Sequence, residues 1–292
     1  MKVFHLQTPG RYLILTLILL NLLIFTGCKK DTGDSFNPSV EKFLQNEMYG
    51  PGPRQVADIY LPANRNAGTK VVILVHGGGW SDGDKGDLRE VVTFLRANWP
   101  DVAVVNTNYT LANNTQAYYH PAQMNDFNTL ISYIKSKKDL WQVGDDLGMA
   151  GVSAGAHLAL LYSYAYRGEN RIKAVASVVG PTDFSDPFYT NNALFQVVAK
   201  NYLGKTWIED PDLHKAASPA LRVTNNVPPT FIAYGLLDPI VPVSNATTLY
   251  NNLITRSIPA SLVAYPLEAH EFSPTAIQAV TLLIIGFMKT HL

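Results

Sequence analysis

Residues 151–155 read Gly-Val-Ser-Ala-Gly, a G-x-S-x-G pattern directly after an apolar run (Leu147–Ala150) and directly before a segment of helical period (Ala154–Tyr166). A serine hydroxyl is a weak nucleophile unless a base removes its proton and donors wait for the oxyanion that its attack creates. A sharp strand-to-helix turn exposes the hydroxyl, glycines on either side let neighbouring backbone come close, and the helix N-terminus offers amides to negative charge. The pattern alone is weak, since a shuffled chain of this composition contains it about once in fifteen copies. His76-Gly77-Gly78-Gly79-Trp80, upstream and directly after the run Val71–Val75, arises only about once in five hundred. Its location is where an oxyanion loop belongs, with the N–H groups of Gly78, Gly79 and Ala154 as donors and His76 and Gly77 supporting the loop. A phosphate cradle is the competing reading of such glycines, but no G-K-[ST] follows.

A nucleophile of this kind needs a base and an acid further along the chain, in the order Ser, acid, His. Asp238 follows the apolar run Thr230–Tyr234 and His270 follows Ser261–Tyr265, so both stand at carboxyl ends of strand candidates, like Ser153. His270 would take the serine proton and Asp238 would hold the imidazole in the right tautomer. Glu268 and Glu271 compete as the acid, and His120, His157 and His214 compete as the base. His157 lies in the helix behind the serine, where packing is the expected role. Trp80 and Tyr109 are candidates for the substrate pocket. Asp82, Asp84 and Asp87 space their carboxylates as a calcium loop might, but the twelfth residue from Asp82 is Thr93 and the sixth is Asp87, where Glu and Gly are required. Capping by Asp87 of the run starting at Leu88 is the expected use. No residue set calls for a metal or an organic cofactor.

The elements that must position these residues alternate. Strand candidates are Ala57–Leu61, Val71–Val75, Val102–Asn106, Leu147–Ala150, Ala174–Val179, Thr230–Tyr234 and Ser261–Tyr265; helix candidates are Leu88–Trp99, Ala122–Lys138, Ala154–Tyr166, Ser244–Arg256 and Pro274–Lys289. Val- and Ile-rich runs separated by helices predict an α/β fold with a mostly parallel sheet covered on both faces. Residues 180–228 break the rhythm, with one clear helical stretch near Asn192–Tyr202. They read as an insertion that is either an ordinary surface excursion or a small cap over the site.

The whole chain has 292 residues, 23 basic and 23 acidic side chains, and a single cysteine, Cys28. Zero net charge without a basic run excludes nucleic acid as a partner, and one cysteine excludes a disulfide framework. Residues 1–27 have Lys2 and Arg11 before an apolar run from Tyr12 to Thr26, the layout of a secretory signal; an uncleaved anchor is the alternative. Phe25-Thr26-Gly27-Cys28 resembles a bacterial lipobox, which implies acylation of Cys28 and a bilayer anchor. Lys29, where an inner-membrane retention Asp would stand, leans that resemblance toward the outer membrane. Residues 28–40 read as a polar tether and 41–292 as the catalytic domain. With Lys2 and Arg11 gone, 21 basic and 23 acidic side chains remain.

From Tyr49 onward the sequence is similar to the α/β-hydrolase superfamily, in the esterase/lipase group with HGGGW and G-x-S-A-G. More narrowly it resembles the feruloyl-esterase-like bacterial carboxylesterases of the BD-FAE type, related to kynurenine formamidases. The residues carrying this are Asp58–Pro62, His76–Trp80 with Gly83–Lys85, Asn108–Leu111, Gly151–Gly155 with His157–Ala159, Pro228–Thr230, Gly235 with Asp238–Pro239 and Val241–Pro242, and His270. Thr110 and Ala156 depart from the pattern, where Arg and Gly are more usual. The resemblance implies a carboxylesterase for short-acyl esters, without cofactor, possible substrates being acetyl or feruloyl groups on carbohydrate. An arylformamidase of the same fold and a non-catalytic binding module on the same scaffold are the alternatives.

Overall fold

The computed structural model describes residues 36–113, 119–169 and 172–292. The signal segment, Cys28 and most of the tether lie outside the described residues. Among the described residues eight strands form one sheet: β1 (Lys42–Met48), β2 (Val56–Leu61), β3 (Val71–Val75), β4 (Ala103–Thr107), β5 (Leu147–Val152), β6 (Ile172–Val178), β7 (Thr230–Gly235) and β8 (Ala260–Tyr265). The order is β1-β2-β4-β3-β5-β6-β7-β8, with β2 antiparallel to β1 and β4 and every pair from β4 to β8 parallel. All five residues of β3 are buried, as a strand covered on both faces requires. Residues 38–292 form one compact unit.

Helices α1 (Arg89–Asn98), α2 (Ala122–Trp141), α3 (Ala154–Leu161), α4 (Pro187–Thr190), α5 (Ala193–Leu203), α6 (Pro211–Ala216), α7 (Val243–Thr255) and α8 (Pro274–His291) complete the layers. The expected helix over 154–166 stops at Leu161 and continues as one π turn, Tyr162–Tyr166. β1 was not expected. It is an edge strand whose Phe43 is half exposed and stacks on Tyr60 at 4.5 Å, so its pattern carries little apolar signal.

Residues 180–228 join β6 to β7 and hold α4, α5, α6 and a 3₁₀ turn (Pro219–Arg222), more helix than the one stretch expected. α4 and α6 are too short to show a period. Their signals are caps: Asp186 accepts from Phe188 N and Asp210 from Leu213 N, each followed by a proline at the first helical position.

Two buried polar ties hold the site's surroundings. Lys85 Nζ lies 2.9 Å from Asp58 Oδ2 on β2, with the side chains 8% and 13% exposed, and Asp58 Oδ1 accepts from Asn46 N. Around this pair, Lys85 N donates to Asn108 Oδ1 and Asn106 Nδ2 donates to Lys85 O, which fastens the segment after the glycine loop to the end of β4. Asp84, rather than Asp87 alone, caps this segment: it accepts from Gly86 N while Asp87 accepts from Asp84 N, a reciprocal box closing the 3₁₀ turn Lys85–Leu88.

The second tie is His157 on α3, fully buried. Trp80 Nε1 donates to its Nδ1 at 3.1 Å, so its Nε2 carries the proton and donates to Ala217 O at 2.8 Å. Trp80 also stacks on Tyr202 of α5 and meets Phe184 edge-on, so one neutral imidazole joins the glycine loop, α3 and the 180–228 segment. Burial holds its pKa down from 6.5 to about 3.

Lys85→Met leaves Asp58 buried without its counter-charge and should cost about 3 kcal/mol in urea unfolding. Adding Asp58→Asn should return part of it; no recovery in the double variant would count against an ionic origin. For His157, the unfolded chain binds a proton that the folded chain refuses between about pH 6.5 and 3. Its contribution is therefore fully present above that window and lost as the pH falls through it. His157→Gln should flatten the fall of Tm from about pH 7 to about pH 4, and an unchanged slope would show that this imidazole is not a source of it.

Candidate active site

β5 ends at Val152, and Ser153 takes φ 53°, ψ −123° before α3 begins. This left-handed backbone is strained for a residue with a Cβ, and the surroundings over-determine it. Ser153 N donates to Val178 O on β6 and His157 N donates to Ser153 O. At Gly155 a Cβ would stand 2.2 Å from His76 O and 2.3 Å from Val75 O, so only glycine lets α3 start this close to the end of β3. At Gly151 the same atom would meet Gly155 C at 2.4 Å.

The serine, the histidine and the aspartate are brought together at the carboxyl edge of the sheet. Ser153 Oγ lies 2.8 Å from His270 Nε2, and His270 Nδ1 lies 2.8 Å from Asp238 Oδ2. The carboxylate can accept only, so Nδ1 donates to it and Nε2 is left to accept from the serine hydroxyl. Asp238 Oδ1 accepts from Ile240 N and Val241 N, and its side chain is 2% exposed. Glu268 points elsewhere: it accepts from Ser273 N and Ser273 Oγ at the start of α8, and these bonds lower its pKa. Glu271 is exposed. His120 bonds Tyr202 and Tyr166, and His214 Nε2 donates to Lys205 O, so neither competes as the base.

Gly77, Gly78 and Gly79 border the same cavity as Ser153, His270 and Ala154. Among the described residues no acceptor takes the N–H of Gly78, Gly79 or Ala154. Gly78 has φ 107° and a Cβ there would meet Asp82 O at 2.1 Å, a turn closed by Ser81 N and Asp82 N donating to Gly78 O. His76 supports the loop from behind: Nδ1 donates to Gly77 O at 2.7 Å while Nε2 accepts from Arg54 at 3.2 Å, and burial lowers its pKa.

Tyr109, expected in the substrate pocket, does not border it. It is wholly buried behind the loop, stacked on His76 at 4.3 Å, and its hydroxyl donates to both His76 O and Gly77 O. A tyrosine that satisfies two carbonyls of a tight loop has no hydroxyl left for a ligand. Trp80 does border the cavity.

Two residues were not anticipated. Arg54, between β1 and β2, donates to Tyr109 O, Gly83 O and His76 Nε2, clamping both ends of the glycine loop. Its only sequence signal is a charge near a turn. Tyr189 is wholly buried, borders the cavity from α4, and its hydroxyl has no partner among the described residues. An aromatic residue in a long insertion carries no signal for that.

The cavity has a volume of about 880 Å³. Among the described residues no group of three or more His, Cys, Asp or Glu is placed to hold a metal. The arrangement can deliver a deprotonated hydroxyl to an electrophilic carbon and offer amides to the resulting oxyanion.

The comparisons agree with this architecture. Esterase LipC of Mycobacterium tuberculosis is 26% identical over 236 residues, covering 75% of this chain and 56% of that protein. Arylacetamide deacetylase of Bos taurus is 26% identical over 182 residues, 58% and 45% of the two chains. The chain thus spans about half the length of these relatives; it covers 69% of the acetyl esterase of Salmonella typhi, also at 26% identity and with 78% of this chain matched. Among solved structures, a truncated carbohydrate esterase from gut microbiota superposes with a TM-score of 0.71 at 20% identity, covering 87% of this chain and 98% of that one. An acetyl ester-xyloside bifunctional hydrolase from Caldicellulosiruptor lactoaceticus gives 0.69 at 19% identity, covering 84% and 96%. These likenesses carry the α/β-hydrolase fold. The BD-FAE family model matches residues 57–253, the stretch from β2 through most of α7 that holds the glycine loop, the serine turn and Asp238. The chain belongs to the BD-FAE family.

Proposed function

We propose that this protein is a serine carboxylesterase in which Ser153 is the nucleophile, His270 the general base and acid, and Asp238 the residue that orients it. The observation carrying this reading is the unbroken run of hydrogen bonds from Ser153 Oγ through His270 to Asp238, beside three amides with no other acceptor among the described residues. Ser153 Oγ attacks the ester carbonyl carbon as its proton passes to His270 Nε2. The N–H groups of Gly78, Gly79 and Ala154 take the negative oxygen, and the tetrahedral species collapses as His270 returns the proton to the departing alkoxide. Water, deprotonated by the same imidazole, attacks the acyl-enzyme and releases the carboxylic acid. Asp238 stabilises the imidazolium that forms in both steps, its own charge being held by the Ile240 and Val241 amides.

Esterase LipC and the acetyl esterase support ester substrates. The carbohydrate esterase and acetyl ester-xyloside hydrolase among the structural neighbours support a sugar as the alcohol. The lipobox-like stretch ending at Cys28 supports a cell-envelope location, with the catalytic unit tethered to the bilayer through an acylated Cys28.

Ser153→Ala should lower kcat on p-nitrophenyl acetate and butyrate by at least about 10⁴-fold, and Asp238→Asn by about 10³- to 10⁴-fold through the wrong tautomer. Both variants should keep the wild-type Tm within a few degrees; most activity retained in Ser153→Ala would overturn the reading. Turnover of aryl formamides but not of esters would transfer it to the formamidase branch. In cell fractionation, Cys28→Ser should move the protein out of the membrane fraction with its kinetic constants unchanged. Continued membrane association would point to an uncleaved anchor.

A further inference from the structure

The cavity at Ser153 extends in two directions of unlike chemistry. Under the 180–228 segment it is bordered by the aromatic side chains of Phe188, Tyr189 and Phe195. In the other direction it passes beneath the carboxyl edge of the sheet, between β3, β5 and β6 on one side and α1 and α8 on the other.

The sheet wall there is Leu74, Ala150, Val152 and Val178, and the helix wall is Val91, Ile277, Val280 and Ile284. These side chains belong to or pack against one apolar core cluster, which also contains Ala174, Ala176 and Ala233 on the neighbouring strands. On the sheet wall of the cavity Ala150 leaves space that a larger side chain would fill. The polar groups bordering this lobe bond locally or stand at its solvent-exposed rim. Thr281 Oγ1 donates to Ile277 O, Asp87 accepts from Asp84 N, and Glu271 is exposed. Between the two walls the lobe is bordered by aliphatic side chains.

We propose that this lobe is the acyl-chain subsite, and that it takes a saturated chain longer than acetyl while the alcohol part lies under the 180–228 segment. The inference rests on the esterase reading and extends its short-acyl expectation. Seven residues of α8 separate Ile277 from Ile284, about 10 Å along the helix. A carbon–carbon bond of about 1.5 Å advances a zigzag chain by roughly 1.25 Å, so about eight carbons span that length. Each methylene transferred from water to such walls strengthens binding roughly fourfold.

The test has two arms. In the first, kcat/KM is measured for p-nitrophenyl acetate, butyrate, hexanoate and octanoate with wild type, Val91→Trp and Ile277→Trp. Both substituted positions are half-buried at the lobe's outer wall, so a larger ring fills the lobe without entering the core. The octanoate-to-acetate ratio should be at least tenfold in the wild type and fall at least tenfold in each tryptophan variant. In the second arm, Ser153→Ala is titrated with octanamide and acetamide and binding is read by calorimetry, with no turnover involved. Octanamide should bind at least tenfold tighter, and Ile277→Trp placed on the Ser153→Ala background should remove the difference.

Ser153-dependent acetate turnover with no gain toward octanoate and no chain-length dependence of binding would overturn the subsite and leave the esterase reading standing. Chain-length-dependent binding that Ile277→Trp removes, with no ester turned over, would uphold the subsite and overturn the esterase reading.

Discussion

Everything at the site depends on one close approach of backbone to backbone. Where Gly155 begins α3, the carbonyl oxygens of Val75 and His76 occupy the volume that any side chain would need. The end of β3 and the start of α3 are thereby locked together, and with them the glycine loop and the serine turn that grow from those two ends. The strained φ of Ser153 is tolerable because this contact, the Val178 carbonyl on its amide and the parallel pairing of β3 with β5 leave the backbone no easier path. The proposed roles of Ser153 and of the Gly78, Gly79 and Ala154 amides require a mutual geometry kept within a fraction of an ångström. Here that geometry is fixed by main chain rather than by side-chain packing.

Around this joint the protein invests buried polar groups of fixed protonation. His76 and His157 are both held neutral by burial, and each has one ring nitrogen accepting and one donating. Each joins segments distant in sequence: His76 joins Arg54 to the glycine loop, and His157 joins Trp80 to Ala217 of the insertion. A neutral imidazole suits this because it is both donor and acceptor without the desolvation cost of a charge. His270, at the cavity and only partly buried, stands in a different setting, between Ser153 Oγ and the Asp238 carboxylate.

Much of this was legible in the chain. Val71–Val75 appears as a strand with the bounds expected, because a strand buried on both faces shows an unbroken apolar run. The serine, aspartate and histidine were legible because each follows such a run, and a parallel sheet gathers the carboxyl ends of its strands on one edge. β1, α4 and α6 were not legible: an edge strand that is half exposed and helices of one or two turns have no period to detect. Tyr109 was misread as a pocket residue. Its sequence position after β4 is shared by residues facing the ligand and by residues facing the loop's underside, and only the fold says which.

What the sequence by itself determined is the set of residue types whose chemistry has few substitutes: glycines at crowded turns, a serine on the elbow, an acid and a base after later strands. It also determined the alternation of elements that makes most of the sheet parallel. What only the tertiary structure decided is the work of residues whose types are common and whose partners are far away, namely Arg54 on Tyr109, Gly83 and His76, and His157 between Trp80 and Ala217. The shape of the cavity belongs to the same class. Its apolar lobe arises from what α1, α8 and three strands leave unfilled between them, and a void has no residue of its own to be read in a sequence.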